Sequence, residues 1–464
     1  MASAPCTSGE KLVVHDPDDG SLVGTLVRSS LGDVEKALEQ GHRASRSAPP
    51  AHERSRILHG VADRVAADAE DHARLIAREG IKTIREARRE VGRAIETLRL
   101  SAEEAKRIGG AVVPFDQVPS GEGRLGWWAY RPAGLIAAIT PYNDPLNLVA
   151  HKLGPAFAAG CPIILKPHPQ TPFSALRLVE HFHAAGAEED RVQIVIGGSD
   201  VGAALVSDHR PRIVSFTGGR SAGERIARQA GLKQLVLELG GVGIVAVAAD
   251  ADLHAAADAI TSGAFWAAGQ NCVRAQRIIA DNNVASDLME LLVSRAEKLR
   301  LGPKLDEGTD VGPLVTPAHA SSLANAVEEM ARAGGHVLTG GRCHGSRMEP
   351  TWVTGLPDAH PLLQREFFGP VSTIETAQGD GDLLDRLERG EDAIHAAIFT
   401  RSIANATAAF RRCNSAALLV NDSTDYRIDA MPFGGTGNAG LGREGVADAV
   451  AAYSEKKLMI IAGV

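Results

Sequence analysis

The chain has few of the features that announce a specialised class. Five cysteines in 464 residues (Cys6, Cys161, Cys272, Cys343 and Cys413) are scattered, odd in number and free of C-x-x-C spacing. That excludes a disulfide framework and a cysteine zinc site, and points to a reducing compartment. There is no excess of positive charge: the net charge is −8 and the pI near 6.1, which gives no electrostatic reason to bind nucleic acid or an anionic membrane. No run reaches the roughly 18 uninterrupted apolar residues that would span a bilayer, and the N-terminus lacks a charged start followed by an apolar core. A cytoplasmic protein acting on a small soluble molecule is expected. No pair of histidines has metalloprotease spacing, His181 and His183 read as a solvated helix face, and no metal is expected.

What is present is a chain long enough for two or three units with large cores, at ordinary globular values of 44% hydrophobic and 23% charged residues. From about residue 51 to 110, apolar residues recur at helical spacing among many Arg and Glu. The texture then changes to short apolar runs ended by Gly or Pro (133–140, 161–167, 191–198, 212–219, 233–241), alternating with helix-like stretches at 171–186 and 220–230. Such runs are what parallel strands buried on both faces look like, so a doubly wound α/β unit is expected, with ligands at the carboxyl ends of its strands. A second α/β series follows: a helical run near 251–268, runs at 275–281, 336–341, 371–377, 395–400 and 417–422, and a helix near 285–299. The tail "KKLMIIAGV" reads as a terminal strand that needs a partner from another subunit or domain.

Two glycine motifs invite phosphate binding. "GTGNAG" (435–440) fits G-x-G-x-x-G but follows "MPFG" rather than a strand, so it is read as a mobile or tightly turned loop. "GGRSAG" (218–223) lacks the Lys and Ser or Thr of a P-loop, although its place between a strand and a helix suits a phosphate at the helix N-terminus. Two other residues stand out. Cys272, in "GQNCV", is either inert packing or a nucleophile, and Glu238 is a carboxylate carried into an apolar strand, where burial would raise its pKa toward that of a general base.

"TPYNDP" (140–145), "LKPHPQTPFSAL" (165–176), "SFTGG" (215–219), "LELGG" (237–241), "GQNC" (269–272), "EFFGP" (366–370) and "MPFGG" (431–435) occur in the order, and nearly the spacing, of the aldehyde dehydrogenase superfamily. The resemblance covers roughly residues 15 to 460. It implies a Rossmann-like cofactor domain (1–112 and 131–240), an α/β catalytic domain (241–435), a small β flap for oligomerisation (113–130 and 446–464), and a homodimer or homotetramer. It also implies oxidation of an aldehyde with NAD or NADP. Cys272 resembles the nucleophile, Asn143 with the Cys272 N–H the oxyanion hole, and Glu238 the base that hydrolyses the thioester. Thr140, Pro141, Tyr142 and Asn143 match the turn under the dinucleotide, and Lys166 the ribose-holding lysine. Phe216, Thr217, Gly218 and Gly219 match the loop near the nicotinamide and pyrophosphate. Gly198, Leu239 and Gly240 join this cofactor set, and Glu366 with Phe368 resembles the pair that holds the nicotinamide ribose.

Three departures bear on specificity. Pro169 stands where many relatives carry a glutamate that grips the adenosine ribose, and Gly219 replaces a commoner serine, so the choice between NAD and NADP stays open. Asn271 precedes the nucleophile where phosphonate-specific relatives tend to have arginine. The strings at 143–156 and 425–435 look closest to the branch of phosphonoacetaldehyde, lactaldehyde and non-phosphorylating glyceraldehyde-3-phosphate dehydrogenases. A small, polar or anionic aldehyde is therefore expected, with Arg93, Asn271, Tyr426 and Arg427 as residues of its channel. Glu238 favours release of a free acid over transfer to coenzyme A; the latter, or an inactive binding protein on the same fold, are the alternatives.

Overall fold

The computed structural model describes residues 9–358, 360–390 and 392–463; Cys6 lies outside them. Two sheets carry the architecture. In the first, six strands run in the order Gly440–Leu441, Gln234–Glu238, Ile213–Thr217, Ile136–Ile139, Ile163–Lys166 and Val192–Ile194, parallel except for the edge strand Gly440–Leu441. The strands Ile136–Ile139, Ile163–Lys166 and Ile213–Thr217 are buried at every position, which is why they read as uninterrupted apolar runs. Helices Ala51–Ala67, Ile84–Glu104, Asn147–Ala159 and Pro172–Ala184 cover one face in a continuous apolar core. Leu31–Ala44 and Ser199–Ser207 cover the other. Asn147–Ala159, enclosed between sheet and helices, is buried along its whole length.

The second sheet has seven strands: His336–Thr339, Thr351–Thr354, Val371–Ala377, Ala275–Asp281, Gly243–Val247, Ala393–Phe399 and Ser415–Val420. Its pairs are parallel except the first. A separate antiparallel sheet joins Ser454–Ala462, Arg124–Pro132 and Gly110–Val113, so the strand begins three residues before the expected flap boundary at 113. Val112, Trp127, Leu458 and Ile460 are exposed on it.

Other expectations also shift. "GTGNAG" is a tight turn whose end, Gly440–Leu441, bonds the strand of Glu238 and so becomes part of the sheet. His181 and His183 are not a solvated face: His181 Nε2 lies 3.0 Å from His72 Nε2, and His183 Nε2 lies 2.8 Å from the Val192 carbonyl. No helix among the described residues is long and apolar enough to cross a membrane.

The first sheet reverses direction at Ile136–Ile139: the chain builds Ile163–Lys166 and Val192–Ile194 on one side, then Ile213–Thr217 and Gln234–Glu238 on the other. Ligands in open α/β sheets bind at such a switch point, beyond the carboxyl ends of the strands. The expected helix at 251–268 is instead Leu253–Phe265 followed by a turn in which Ala267, Ala268 and Gly269 have φ of 51°, 52° and 69°. Alanine pays for that left-handed conformation, so the turn survives only because its surroundings fix it. The Ala267 N–H donates to the buried Glu86 carboxylate at 2.8 Å. The Gln270 side chain donates to Ala267 O (3.3 Å) and Pro313 O (3.1 Å) and accepts from Val315 N–H (3.0 Å). The turn leads directly into Asn271 and Cys272. A Cβ at Gly269 would run into the Gly369 carbonyl. Gly269→Ala is therefore expected to cost at least about 1 kcal/mol in urea denaturation and to change Cys272 reactivity; wild-type stability would show that the turn is not constrained as described.

Candidate active site

Cys272 lies at the wall of a cavity of about 430 Å³. Arg93, Asn271, Tyr426 and Arg427 line the same cavity, so four residues separated by more than 330 positions are brought together. The thiol faces the Asn271 side-chain oxygen at 3.8 Å. Burial pushes the Cys272 pKa well above its ordinary value, and the negative charge of Glu238 adds to the shift; Arg427 opposes it. Arg427 stacks 3.4 Å from the centre of the Phe433 ring and its Nη2 lies 3.1 Å from His151 Nε2. Arg93 lines the cavity but is held bidentately by the buried Asp429, at 2.8 and 3.3 Å, which also bonds Asn147 and His151. Burial works against the Asp429 charge, but the His151 bond and the Arg93 guanidinium outweigh it and hold its pKa well below the usual range. Arg93 thus has its fork committed to protein.

Glu238 ends the strand Gln234–Glu238, 3% exposed, with neither carboxylate oxygen hydrogen-bonded among the described residues. Burial and then the like charge of Glu444 raise its pKa to about 8. A sequence reading did not single out Glu444 or Lys152; both lie in unremarkable helical or loop contexts and meet only in the fold. Lys152 Nζ bonds Glu444 at 2.9 Å and Ser215 Oγ at 3.1 Å, all three groups buried. Burial opposes the Glu444 charge, but Lys152 outweighs it and keeps Glu444 ionised. A paired carboxylate thus sits beside an unpaired one and drives their proton affinities apart, the pattern that separates a proton acceptor from a fixed charge. Thr217 gives its hydroxyl to Glu444 (3.4 Å).

The remaining sequence-named residues gather at the carboxyl ends of the first sheet. Asn143 is buried in the loop after Ile136–Ile139 and does not line the cavity. Its loop touches the cysteine turn through Tyr142, whose hydroxyl is 3.4 Å from Gln270 Oε1 and whose ring meets those of His168 and Phe368. The Thr140 hydroxyl is buried and unpartnered. Phe368 has φ 47°, held by His319 Nε2 on its carbonyl at 2.9 Å. Glu366 packs so close to Gly240 that a side chain there would overlap the carboxylate. Burial raises the Glu366 pKa to about 7, against Arg274 and the Gly241 N–H. A second cavity, about 390 Å³, is lined by Lys166, Gly198 and Phe216, and by Asp200, Arg225 and Gln229, which the sequence reading missed. Lys166 is 6% exposed and, among the described residues, its ammonium donates only to its neighbour's carbonyl, at 3.3 Å; burial pulls its pKa down to about 8. A buried ammonium short of acceptors at the edge of a cleft fits sugar hydroxyls. Gly219 opens helix Arg220–Gln229 without a side-chain cap, leaving N–H groups for a pyrophosphate. Pro169 is half-buried beside His168.

A cysteine at a cavity wall, close enough to a buried, unpaired carboxylate for that charge to shift its thiol, and a cleft at the sheet's switch point are the arrangement the motifs imply. The family model described as "Aldehyde dehydrogenase family" matches residues 5–459. The chain belongs to this family. It is an NAD(P)-dependent aldehyde dehydrogenase with the family's α/β fold. Aspartate-semialdehyde dehydrogenase 1 of Pseudomonas canavaninivorans is 43% identical over 97% of this chain and 96% of that protein. The 3-sulfolactaldehyde dehydrogenase of Priestia aryabhattai is 35% identical over 98% and 96%. The solved structure of the glyceraldehyde-3-phosphate dehydrogenase GapN of Methanocaldococcus jannaschii, complexed with NADP, superposes with a TM-score of 0.94 at 32% identity, covering 98% of this chain and 100% of that one.

The raised Cys272 pKa sets a sign that can be measured. A thiol held neutral by burial reacts slowly with iodoacetamide, because the thiolate is the nucleophile. Without cofactor or substrate, alkylation of Cys272 followed by peptide mass spectrometry is expected to be slow at pH 7 and to rise about tenfold per pH unit up to at least pH 9. A fast, pH-independent rate near neutrality would mean that the resting residue is already a thiolate.

Proposed function

We propose that the chain oxidises a small, polar or anionic aldehyde to the free carboxylic acid, with Cys272 as nucleophile and Glu238 as general base. The observation that carries this reading is Glu238 itself: a buried carboxylate with no hydrogen-bond partner, raised in pKa, whose charge acts on the thiol. Cys272 gives up its proton to solvent; the thiolate adds to the aldehyde carbon, and the Asn143 amide with the Cys272 N–H steadies the oxyanion. NAD or NADP, when bound, supplies the hydride acceptor. Lys166 would hold its adenosine ribose, Glu366 and Phe368 its nicotinamide ribose, and the start of helix Arg220–Gln229 its pyrophosphate. Oxidation leaves a Cys272 thioester. Glu238 then removes a proton from water, which attacks the acyl carbon and returns the free thiol and the acid. Relatives named for aspartate semialdehyde and 3-sulfolactaldehyde favour a short substrate bearing an acid group, and Arg427 in the cavity wall supplies a cation for it. Arg93, committed to Asp429, shapes the wall. We also propose that the sheet of Gly110–Val113, Arg124–Pro132 and Ser454–Ala462, with its exposed apolar residues, pairs subunits into a homodimer or homotetramer.

Two variants separate the half-reactions in stopped-flow measurement of NAD(P)H. Cys272→Ser is expected to abolish the burst while keeping cofactor binding. Glu238→Gln is expected to retain a burst of about one equivalent and then turn over at least about a hundredfold more slowly, within the range of a lost general base. Turnover of Glu238→Gln should not be restored by raising the pH, whereas wild-type turnover should rise through pH 8. Unchanged steady-state rates would place the base elsewhere.

The cofactor choice follows from charge near Lys166. Pro169 supplies no carboxylate against a 2′-phosphate, and Asp200, which shares the Lys166 cavity, is neutralised by contact with Arg28. Both cofactors are therefore expected to serve. Pro169→Glu should raise KM for NADP over that for NAD by roughly ten- to a thousandfold, the equivalent of about 1–4 kcal/mol for a pair of like charges a few ångströms apart near a surface. Wild-type rejection of NADP by more than about a hundredfold would overturn this account of position 169.

A further inference from the structure

One face of helix Ile84–Glu104 is polar where it packs into the interior. Glu86, Glu90, Arg93 and Thr97 follow one another at helical spacing, which stacks them in a single stripe. Each is committed to a segment that carries or adjoins a site residue. Glu86 accepts the Ala267 N–H of the turn before Cys272. Glu90 accepts two backbone donors on one carboxylate oxygen, the N–H groups of Leu146 (2.8 Å) and Asn147 (3.0 Å). Thr97 gives its hydroxyl to the Asn147 side chain at 2.9 Å, and Arg93 holds Asp429.

Leu146 and Asn147 open helix Asn147–Ala159, which has no side-chain cap at its first residue, so Glu90 supplies the cap from a neighbouring helix. The other Glu90 oxygen accepts from the Lys82 ammonium at 2.8 Å, and Lys82 reaches on to Asp144. The backbone just after Asn143 is thus pinned at 144, 146 and 147 by two buried side chains. An ionic triad taken out of water often stabilises a fold no better than apolar side chains of the same volume. What it does supply is direction, because hydrogen bonds weaken steeply away from their preferred length and angle. Glu86 and Glu90 stand one helical turn apart, about 6 Å along the axis. The turn before Cys272 and the loop of Asn143 are therefore both referenced to one rigid bar.

We propose that Glu90, with Lys82 behind it, is a positioning residue for Asn143: it fixes the loop so that the Asn143 amide meets the oxyanion formed on Cys272. This rests on the roles of Asn143 and Cys272 proposed above. Glu90 itself does not line the Cys272 cavity, so its effect on the reaction passes through the loop it holds. A misplacement of about 1 Å can lower a rate by about a hundredfold, the same order as outright loss of one oxyanion donor.

Two reactions of Cys272 separate this role from a general loss of structure. Hydrolysis of 4-nitrophenyl acetate passes through a tetrahedral oxyanion and needs no cofactor, whereas alkylation by iodoacetamide displaces iodide and forms no oxyanion. Glu90→Gln keeps an acceptor for the two N–H groups but gives up the bond from Lys82. It is expected to lower kcat for the ester by at least about tenfold, with KM and the alkylation rate each within about twofold of wild type. Asn143→Ala should lower the same kcat by about a hundredfold or more. Adding Glu90→Gln to Asn143→Ala should then lower it by no more than about a further twofold, because both act through one group. Should Glu90→Gln fail to fold, Glu90→Asp keeps the charge, withdraws it by one methylene and is read in the same way. Equal losses from the Glu90 variant in the wild-type and Asn143→Ala backgrounds, a parallel fall in alkylation, or undiminished ester hydrolysis overturns the proposal and leaves Asn143 standing. A wild type that is alkylated but does not hydrolyse the ester, or hydrolysis unchanged in Asn143→Ala, removes the oxyanion role of Asn143 and the proposal with it.

Discussion

Burying a carboxylate without a partner is the constraint around which this structure is arranged. Taken out of water, the charge of Glu238 costs several kcal/mol unless something answers it. Nothing nearby donates a hydrogen bond to it, and Glu444 makes matters worse. The fold tolerates this because the strand Gln234–Glu238 is pinned on both sides, by Ile213–Thr217 in parallel and by Gly440–Leu441 in antiparallel register. The unfavourable energy is stored as proton affinity: a group that would rest as a bare anion on the surface becomes one that takes up a proton near neutrality. The Lys152–Glu444 pair fixes the opposite state one residue away, so one carboxylate stays charged and the other is free to change.

The cysteine is placed by strain of a different kind. Three successive left-handed residues reverse the chain after helix Leu253–Phe265, and the side chains of Glu86 and Gln270 close the turn from distant parts of the sequence. Phe368 is likewise held with a positive φ, by His319. Such conformations persist where surrounding contacts over-determine them, and both lie at the seam between the two sheets.

The buried parallel strands were legible in the sequence because being covered on both faces leaves no polar alternation to confuse them; 275–281 and 371–377 match their strands residue for residue. Glu238 stood out because a carboxylate is chemically out of place in an apolar strand, whereas Cys272 and Lys166 stood out only through the family resemblance of the motifs around them. Three things were not. The left-handed turn at 267–269 is written in two alanines, which carry no sign of positive φ. His181 was misjudged as solvated because its partner, His72, is 109 positions away. Lys152, Glu444 and Asp200 have ordinary local contexts, and what sets them apart is the company they meet in the fold, a property of three-dimensional packing alone.

The segment 425–444 has a double duty that follows from its path. It begins with Asp425 and Arg427 in the wall of the Cys272 cavity, turns at Gly437–Ala439, zips onto the strand of Glu238 through Gly440–Leu441, and ends at Glu444. One continuous ribbon of twenty residues therefore carries two side chains of the Cys272 cavity wall and the carboxylate that raises the proton affinity of Glu238. Reshaping the cavity wall through this ribbon therefore also pulls on the strand of Glu238, so the two features are tied through one stretch of backbone.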